Sequence, residues 1–432
     1  MQALLAFENA PPLMAPFRFF ITAPLFGVLA GLLLIVEGPS LFSSRWMPGT
    51  LAVTHLLTVG FMLQVMLGAL VQIFPVVAGA NLWRPLRLSA MLHIGLTLGA
   101  GLLAGGFYFG SPLLLSVAAG VLLLTALLIL GATTHALIGV RSTSPTILGL
   151  KLALAGLAGV VGLGVLMAWG LAHGWPLPLP VLADLHAAWG LGAWAGVLLA
   201  AIAYVVVPMF QLTPGYPARP GWLFPCCMLL IVLLWSGAVF FDMPNMIRVV
   251  QGITALLGLA FAVLTLRLQL KRRRARADAT YRYWQIGLAA SIFALLMLLT
   301  AAMWPAASEI DGWTLFFGIT LLAGGFVPFI IGMLYKIVPF LAWLHLQNQG
   351  QAKVVAPNMN KILSDVDMQR QMKCYALAVV LLLGAVLFPE WLARPAGVVF
   401  AVANGWLGFN LSLAISRYRK HSAEIALKLA AR

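Results

Sequence analysis

Two histidines stand out as residues whose type and position could do chemistry in this chain. His55 follows Thr54 near the start of one long apolar stretch, and His186 lies near the start of another. A neutral imidazole is a common ligand of haem iron and of copper. The sequence therefore predicts either a pair of metal-ligating histidines or a pair of interfacial histidines that bond to carbonyl groups or water.

The two histidines lie at similar distances from a proline near the other end of each stretch, His55 from Pro75 and His186 from Pro208. Each separation is about 20 residues, which at a rise of about 1.5 Å per residue gives about 30 Å, the thickness of the hydrocarbon core of a bilayer. We therefore expect both imidazoles at the same depth, near the periplasmic edge of a membrane.

Glycines follow both histidines about one helical turn further on, Gly60 after His55 and Gly190 after His186. They leave room on the helix face either for a flat macrocycle such as haem or for close packing of a neighbouring helix. Both are therefore candidate cofactor-binding residues.

A second pair of histidines, His93 and His135, lies toward the cytoplasmic ends of two neighbouring antiparallel stretches. Because they could also meet, they are predicted as a second candidate site. No repeat supports this pair.

The composition identifies the environment of these residues. Of the 432 residues, 62% are hydrophobic and only 9% are charged, whereas a soluble domain has about a quarter charged residues. An ordinary soluble enzyme, a disordered chain and a nucleic-acid-binding protein are therefore excluded, despite the net charge of +15. The partner that this composition predicts is the lipid bilayer.

Twelve apolar stretches are long enough to cross a bilayer as helices. They are continuous rather than alternating, which favours helices over a barrel. We predict one all-α polytopic membrane domain over residues 1–432, with one larger cytoplasmic loop at about 344–373. The predicted spans are about 17–37, 51–79, 86–108, 112–139, 146–171, 184–211, 220–241, 246–268, 283–304, 313–343, 374–389 and 395–416.

The basic residues predict the orientation. With twelve spans both termini lie on one side, and all of the 26 Lys and Arg residues except Arg45, Arg248 and Arg394 fall on that side. Because loops rich in Lys and Arg stay in the cytoplasm, we predict cytoplasmic N- and C-termini in a bacterial inner membrane.

Three prolines indicate an internal repeat. Pro75, Pro208 and Pro339 follow one another at near-equal intervals of about 130 residues, and self-similarity at a fixed period is the signature of a repeat. Each interval holds four predicted spans, and residues 68–75 and 332–339 share the pattern Gly-x-Leu-x-(Gln/Lys)-Ile-(Phe/Val)-Pro. A proline near a helix end is common by itself, but this spacing favours a repeat.

The repeat predicts three four-helix arcs with pseudo-threefold symmetry. The repeat-like units are about 1–79 together with 374–432, then 80–211, and then 212–343. A transporter of two six-helix halves would instead repeat after six spans.

The second span carries a resemblance to a known family. Thr54-His55 is followed by Phe74-Pro75 and then by the turn at residues 78–85, which reads Ala-Gly-Ala-Asn-Leu-Trp-Arg-Pro. This segment resembles the second helix of subunit I of the haem–copper oxidases, which supplies a haem ligand. His186 lies on the sixth span, which supplies a copper ligand in those enzymes. The resemblance implies haem b or copper as cofactor, with His55 and His186 as ligands.

The chain also departs from the oxidases. Residues 220–241 and 313–343 contain no His, and Ala187 rather than Pro follows His186. A binuclear oxygen-reducing centre is therefore not expected, and neither is a proton-pumping terminal oxidase. The chain is more similar to a non-oxidase, NnrS-like branch of the superfamily.

That resemblance implies electron transfer or a redox or nitric-oxide-related role. It also implies a redox partner at the periplasmic face or a partner subunit. Two other classes stay open: an inner-membrane transporter of metal or haem, and a non-catalytic membrane subunit.

Overall fold

The structure is a computed structural model that describes residues 6–274, 276–351 and 353–431. Within these ranges every regular element is helical, and twelve helices are long and apolar enough to cross a membrane. The prediction of an all-α, twelve-helix membrane protein is therefore confirmed. The helices are α1 (Met14–Phe42), α2 (Pro48–Ala78), α3 (Pro85–Tyr108), α4 (Pro112–Leu137), α5 (Pro145–Ala172), α6 (Leu179–Gln211), α7 (Ala218–Phe240), α8 (Pro244–Leu270), α9 (Ala279–Met303), α10 (Trp313–Gln349), α11 (Asp365–Leu387) and α12 (Pro389–Ala430).

Helix starts are specified by proline and by side-chain caps. Proline occupies the first position of α2, α3, α4, α5, α8 and α12, where its missing N–H is not needed. The hydroxyls of Ser111 and Ser144 accept bonds from backbone N–H groups in the first turns of α4 and α5. Asp278 caps α9 in the same way, by accepting a bond of 2.9 Å from the N–H of Tyr281. These residues set where each apolar run becomes a helix.

The connection between α10 and α11 is shorter than the predicted loop at 344–373. Helix α10 continues to Gln349, a short helix spans Met359–Ile362, and α11 begins at Asp365. Ser364 caps α11 by accepting a bond from the N–H of Asp367, and acidic residues in a first turn favour the helix dipole. The eleventh helix therefore has 23 residues. Its first turn is polar, so the length of the apolar run alone does not reveal where the helix begins.

Helix α12 is also longer than its apolar part. Its 42 residues span about 63 Å at 1.5 Å per residue, roughly twice the hydrocarbon thickness. The extension is held to the end of α10 by two bonds. The amide of Gln349 donates to the carbonyl of Ser422 at 3.0 Å, and the hydroxyl of Ser422 donates to the side-chain oxygen of Gln349 at 2.8 Å.

The three helices that contain the repeat prolines are the most buried. The buried share of the apolar window is 78% in α2 and 56% in both α6 and α10, against at most 50% in the others. Each of the three contains a π-helical segment, Leu56–Leu63, Ala188–Gly196 and Thr320–Phe326. Such segments are rare and often lie at functional sites. The pseudo-threefold arrangement of three arcs stays a prediction.

Candidate functional site

His55 is the residue immediately before the π-helical segment of α2. Its Nδ1 lies 2.8 Å from the carbonyl oxygen of Leu51. Because a carbonyl can only accept, Nδ1 carries the proton and Nε2 keeps its lone pair. The ring packs against Phe107 of α3, with centroids 4.9 Å apart and an angle of 31° between the planes. This tautomer leaves the lone pair of Nε2 able to accept a hydrogen bond or to bind a metal.

His186 lies two residues before the π-helical segment of α6, with its ring against Gly164 of α5. Its Nδ1 is buried and has no hydrogen-bond partner among the described residues. A side chain at Gly164 would crowd this ring, because an added Cβ would lie 3.0 Å from Cε1 and 3.6 Å from Nδ1 of His186. Leaving a buried ring nitrogen without a partner is costly, so this atom is a candidate ligand for a bound group.

The two predicted histidines lie in the same region of the molecule. The imidazoles of His55 and His186 lie near enough for charges on them to interact, although the two residues are on different helices. His55 offers the lone pair of its Nε2, and His186 offers a buried Nδ1 that has no hydrogen-bond partner among the described residues. Neutral imidazoles of this kind suit haem iron and copper equally.

The two predicted glycines pack closely against neighbouring helices. A Cβ at Gly60 would lie 2.4 Å from Cγ of Phe26, which belongs to α1. A Cβ at Gly190 would lie 3.1 Å from Cγ2 of Val160, which belongs to α5. These two positions therefore serve helix packing, one of the two uses predicted for them.

The second predicted pair is oriented apart. His93 lies 2.8 Å through Nε2 from the hydroxyl of Thr22, and its ring meets Phe19 edge to face, so it faces α1. His135 is exposed in the last turn of α4. The described part of the chain contains no group of three or more His, Cys, Asp or Glu side chains that could hold a metal. A metal bound anywhere in this part would therefore have at most two ligands from these four residue types.

An ion pair joins the connection before α2 to the first turns of α6. Nη1 of Arg45, in the connection before α2, lies 2.6 Å from Oδ1 of Asp184, two residues before His186. Both side chains are partly exposed, so the pair contributes about 0–1 kcal/mol to stability. Its effect is positional, because it ties the starts of the two helices that carry the histidines.

Several residues near the two histidines were not predicted from the sequence. Phe107 and Gly164 lie in apolar runs with nothing to distinguish them from packing residues. Arg45 and Asp184 did give a signal. Arg45 is one of only three basic residues on the predicted outer side, and Asp184 is an acidic residue on the same side, so an ion pair between the two could have been expected.

The chain matches no protein-family model and no curated protein. The fold and the site together define a multi-pass helical membrane protein with two histidines, from α2 and α6, that lie beside π-helical segments and near enough for charges on them to interact.

Proposed function

We propose that the protein binds b-type haem through His55 and His186 and acts in electron transfer, or in a redox or nitric-oxide-related role. The observation that carries the proposal is the placement of two imidazoles, from separate helices, near enough for charges on them to interact. Nδ1 of His55 donates a hydrogen bond to the carbonyl oxygen of Leu51, and the buried Nδ1 of His186 has no hydrogen-bond partner among the described residues. The resemblance of residues 54–85 to the second helix of the oxidases supports the same cofactor.

A haem held in this way supplies a one-electron couple of its iron. The protein residues hold and shield it. The bond to Leu51 fixes the tautomer of His55, and Phe107 covers one face of that ring. Gly164 lets the ring of His186 lie against α5. If His55 and His186 both bound one haem iron, they would leave it no open position for a substrate, which favours electron transfer or sensing over turnover.

The second candidate is a copper ion on the same two imidazoles, in a protein that transports metal. One observation favours it. Phe26 fills the space beside Gly60, and Val160 fills the space beside Gly190, so neither glycine keeps room for a macrocycle. A single ion needs no such room, and imidazole suits copper.

The proposed location is a bacterial inner membrane with both termini in the cytoplasm. The distribution of Lys and Arg supports this orientation. The histidines then lie near the periplasmic edge, where a redox partner or a partner subunit could approach them. The ion pair between Arg45 and Asp184 would lie between that partner and the site.

An optical spectrum of the purified protein, with pyridine haemochrome and metal analysis, tests the proposal. We expect a stoichiometric Soret band, lost or converted to a five-coordinate form in His55→Ala and in His186→Ala. The control His421→Ala changes a residue near the end of α12, which is bonded to Glu424, and should leave the spectrum unchanged. Copper without haem would favour the second candidate. Full retention of haem in the double variant would refute the site.

A further inference from the structure

A groove runs between α8 and α9 at the end of the bundle where α8 begins. Its volume is about 540 Å³. The α8 residues that line it repeat every three or four positions, so they form one stripe along the helix. They are Asn245, Arg248, Val249, Gly252, Ile253 and Leu256. The groove therefore follows the helix axis rather than crossing it.

The length and polarity of the groove match one leaflet of a bilayer. From Asn245 to Leu256 the axis rises by about 16 Å, against about 15 Å for half of the hydrocarbon core. The two polar residues lie at the outer end, and the lining is apolar from Val249 inward. A molecule that fits this groove has a polar head at the membrane surface and an apolar chain of leaflet length.

The head end of the groove is positively charged. Arg248 is exposed, its guanidinium donates to the side-chain oxygen of Asn245, and no carboxylate in the described part of the chain forms an ion pair with it. The start of α8 adds the partial positive charge of a helix N-terminus. No acidic residue lines the groove, so a negatively charged head is favoured.

We propose that this groove binds one anionic phospholipid. Its phosphate accepts bonds from Arg248 and from the side-chain N–H of Asn245, and one acyl chain lies along the stripe from Val249 to Leu256. A free phosphate would use only the outer end and leave the apolar lining uncovered. The proposal is independent of the histidine site.

A second cavity at the same end of the bundle provides a matched contrast. It has a volume of about 420 Å³ and lies between α9, α10 and α11, with Phe293, Trp313 and Phe316 in its wall. Its charged residue is Asp311 instead of an arginine. A carboxylate repels a phosphate, so anionic lipid should select the groove at Arg248 over this cavity.

Native mass spectrometry of the detergent-purified full chain tests the proposal. The probes are phosphatidylglycerol, phosphatidylethanolamine with the same acyl chains, and inorganic phosphate. We expect one tightly retained phosphatidylglycerol, weaker phosphatidylethanolamine and no retained phosphate. Arg248→Gln should lower the affinity for phosphatidylglycerol about tenfold, because a charge-assisted hydrogen bond is lost.

Three further variants locate the binding. Gly252→Leu should also weaken it by filling the groove, since a Cβ there meets Ala302 and Leu299 only at 3.7 and 3.9 Å. Asp311→Asn, in the second cavity, and Arg274→Gln, in the basic segment before α9, should change nothing. A photoactivatable phosphatidylglycerol should label peptides of α8 and α9, which keeps the proposal testable if Gly252→Leu fails to fold.

Several results would overturn the proposal. They are unchanged lipid retention in Arg248→Gln, loss of the lipid in Arg274→Gln instead, equal retention of both phospholipids, and retention of inorganic phosphate in place of lipid.

Discussion

Adding a single methyl group at Gly164 should weaken the proposed binding at the histidine site without removing either histidine. In Gly164→Ala the new Cβ would lie 3.0 Å from Cε1 of His186, whereas ordinary contacts begin at 3.4 Å. The ring must therefore retreat by about 0.4 Å, close to the tolerance of about 0.5 Å for a functional constellation. Changes to groups that orient a metal ligand typically cost 10–100-fold in affinity, and we expect about tenfold here.

Gly162→Ala is the matched control, because it adds the same methyl group to the same helix. A Cβ at Gly162 meets nothing within 4 Å. In both variants alanine favours the helix by about 0.5–1 kcal/mol over glycine. Gly162→Ala should therefore raise thermal stability slightly and leave binding unchanged, while Gly164→Ala gains less stability because of the clash.

The assay is a titration of the metal-free protein with hemin and, separately, with copper, followed by optical spectra and by thermal unfolding in detergent. Weaker binding of one ligand in Gly164→Ala also identifies which of them the histidines hold. The reasoning is refuted if Gly164→Ala and Gly162→Ala bind both ligands as tightly as the unmodified protein.

Three smaller predictions test the orientation and the supporting contacts. Reporter fusions at the C-terminus and within residues 272–280 should both report the cytoplasm; a periplasmic signal from either contradicts the topology. Asp184→Asn should lower stability by less than about 1 kcal/mol yet weaken cofactor binding measurably, and unchanged binding would show that the pair with Arg45 does not position the site. Tyr375→Phe, which removes the 2.7 Å bond to the carbonyl of Ala323 in the π-helical segment of α10, should destabilise the protein by about 1 kcal/mol, and an unchanged melting temperature would contradict this.

The parts of the fold that depend on hydrophobicity were predictable, and the parts that depend on local backbone geometry were not. Twelve continuous apolar runs give twelve helices, because a run of this kind satisfies its backbone hydrogen bonds inside a bilayer by forming a helix. The polar first turns of α11, from Asp365 to Lys373, were missed because they lie outside the apolar run. The π-helical segments were also missed. A change in the number of residues per turn shows in a sequence only as a shift in the spacing of apolar residues, and a run that is apolar on every side has no such spacing.

The site was predicted only in part for a related reason. Depth along a helix can be counted from the sequence, so His55 and His186 were expected at the same level. Which neighbour a given face meets depends on packing between helices, and the sequence does not contain it. Gly60 and Gly190 follow the histidines in the chain but contact Phe26 and Val160, whereas the glycine that lies against His186, Gly164, is on another helix.

The backbone suggests a more regular repeat than the prolines do. The π-helical segments begin at Leu56, Ala188 and Thr320, which are equally spaced along the chain. Glycine occupies the fifth position of every segment, at Gly60, Gly192 and Gly324. If the three units are equivalent, residues 53–75, 185–207 and 317–339 should superpose best in this register. A better superposition in another register would contradict the repeat.

In this register the two histidines are not equivalent. The counterpart of His55 in α6 is Ala187, and His186 lies one position earlier, which turns its side chain by about 100° around the helix. Ala187 is exposed while His186 is half-buried, so only the earlier position faces the interior. Two equivalent positions related by a threefold axis would have the same rotational orientation, whereas the shift by one residue places the ring of His186 near enough to His55 for charges on them to interact. The double variant His186→Ala with Ala187→His, which restores the symmetric register, should therefore lose cofactor binding as completely as His186→Ala alone, measured by hemin and copper titration. If the double variant binds like the unmodified protein, the displaced register has no part in forming the site.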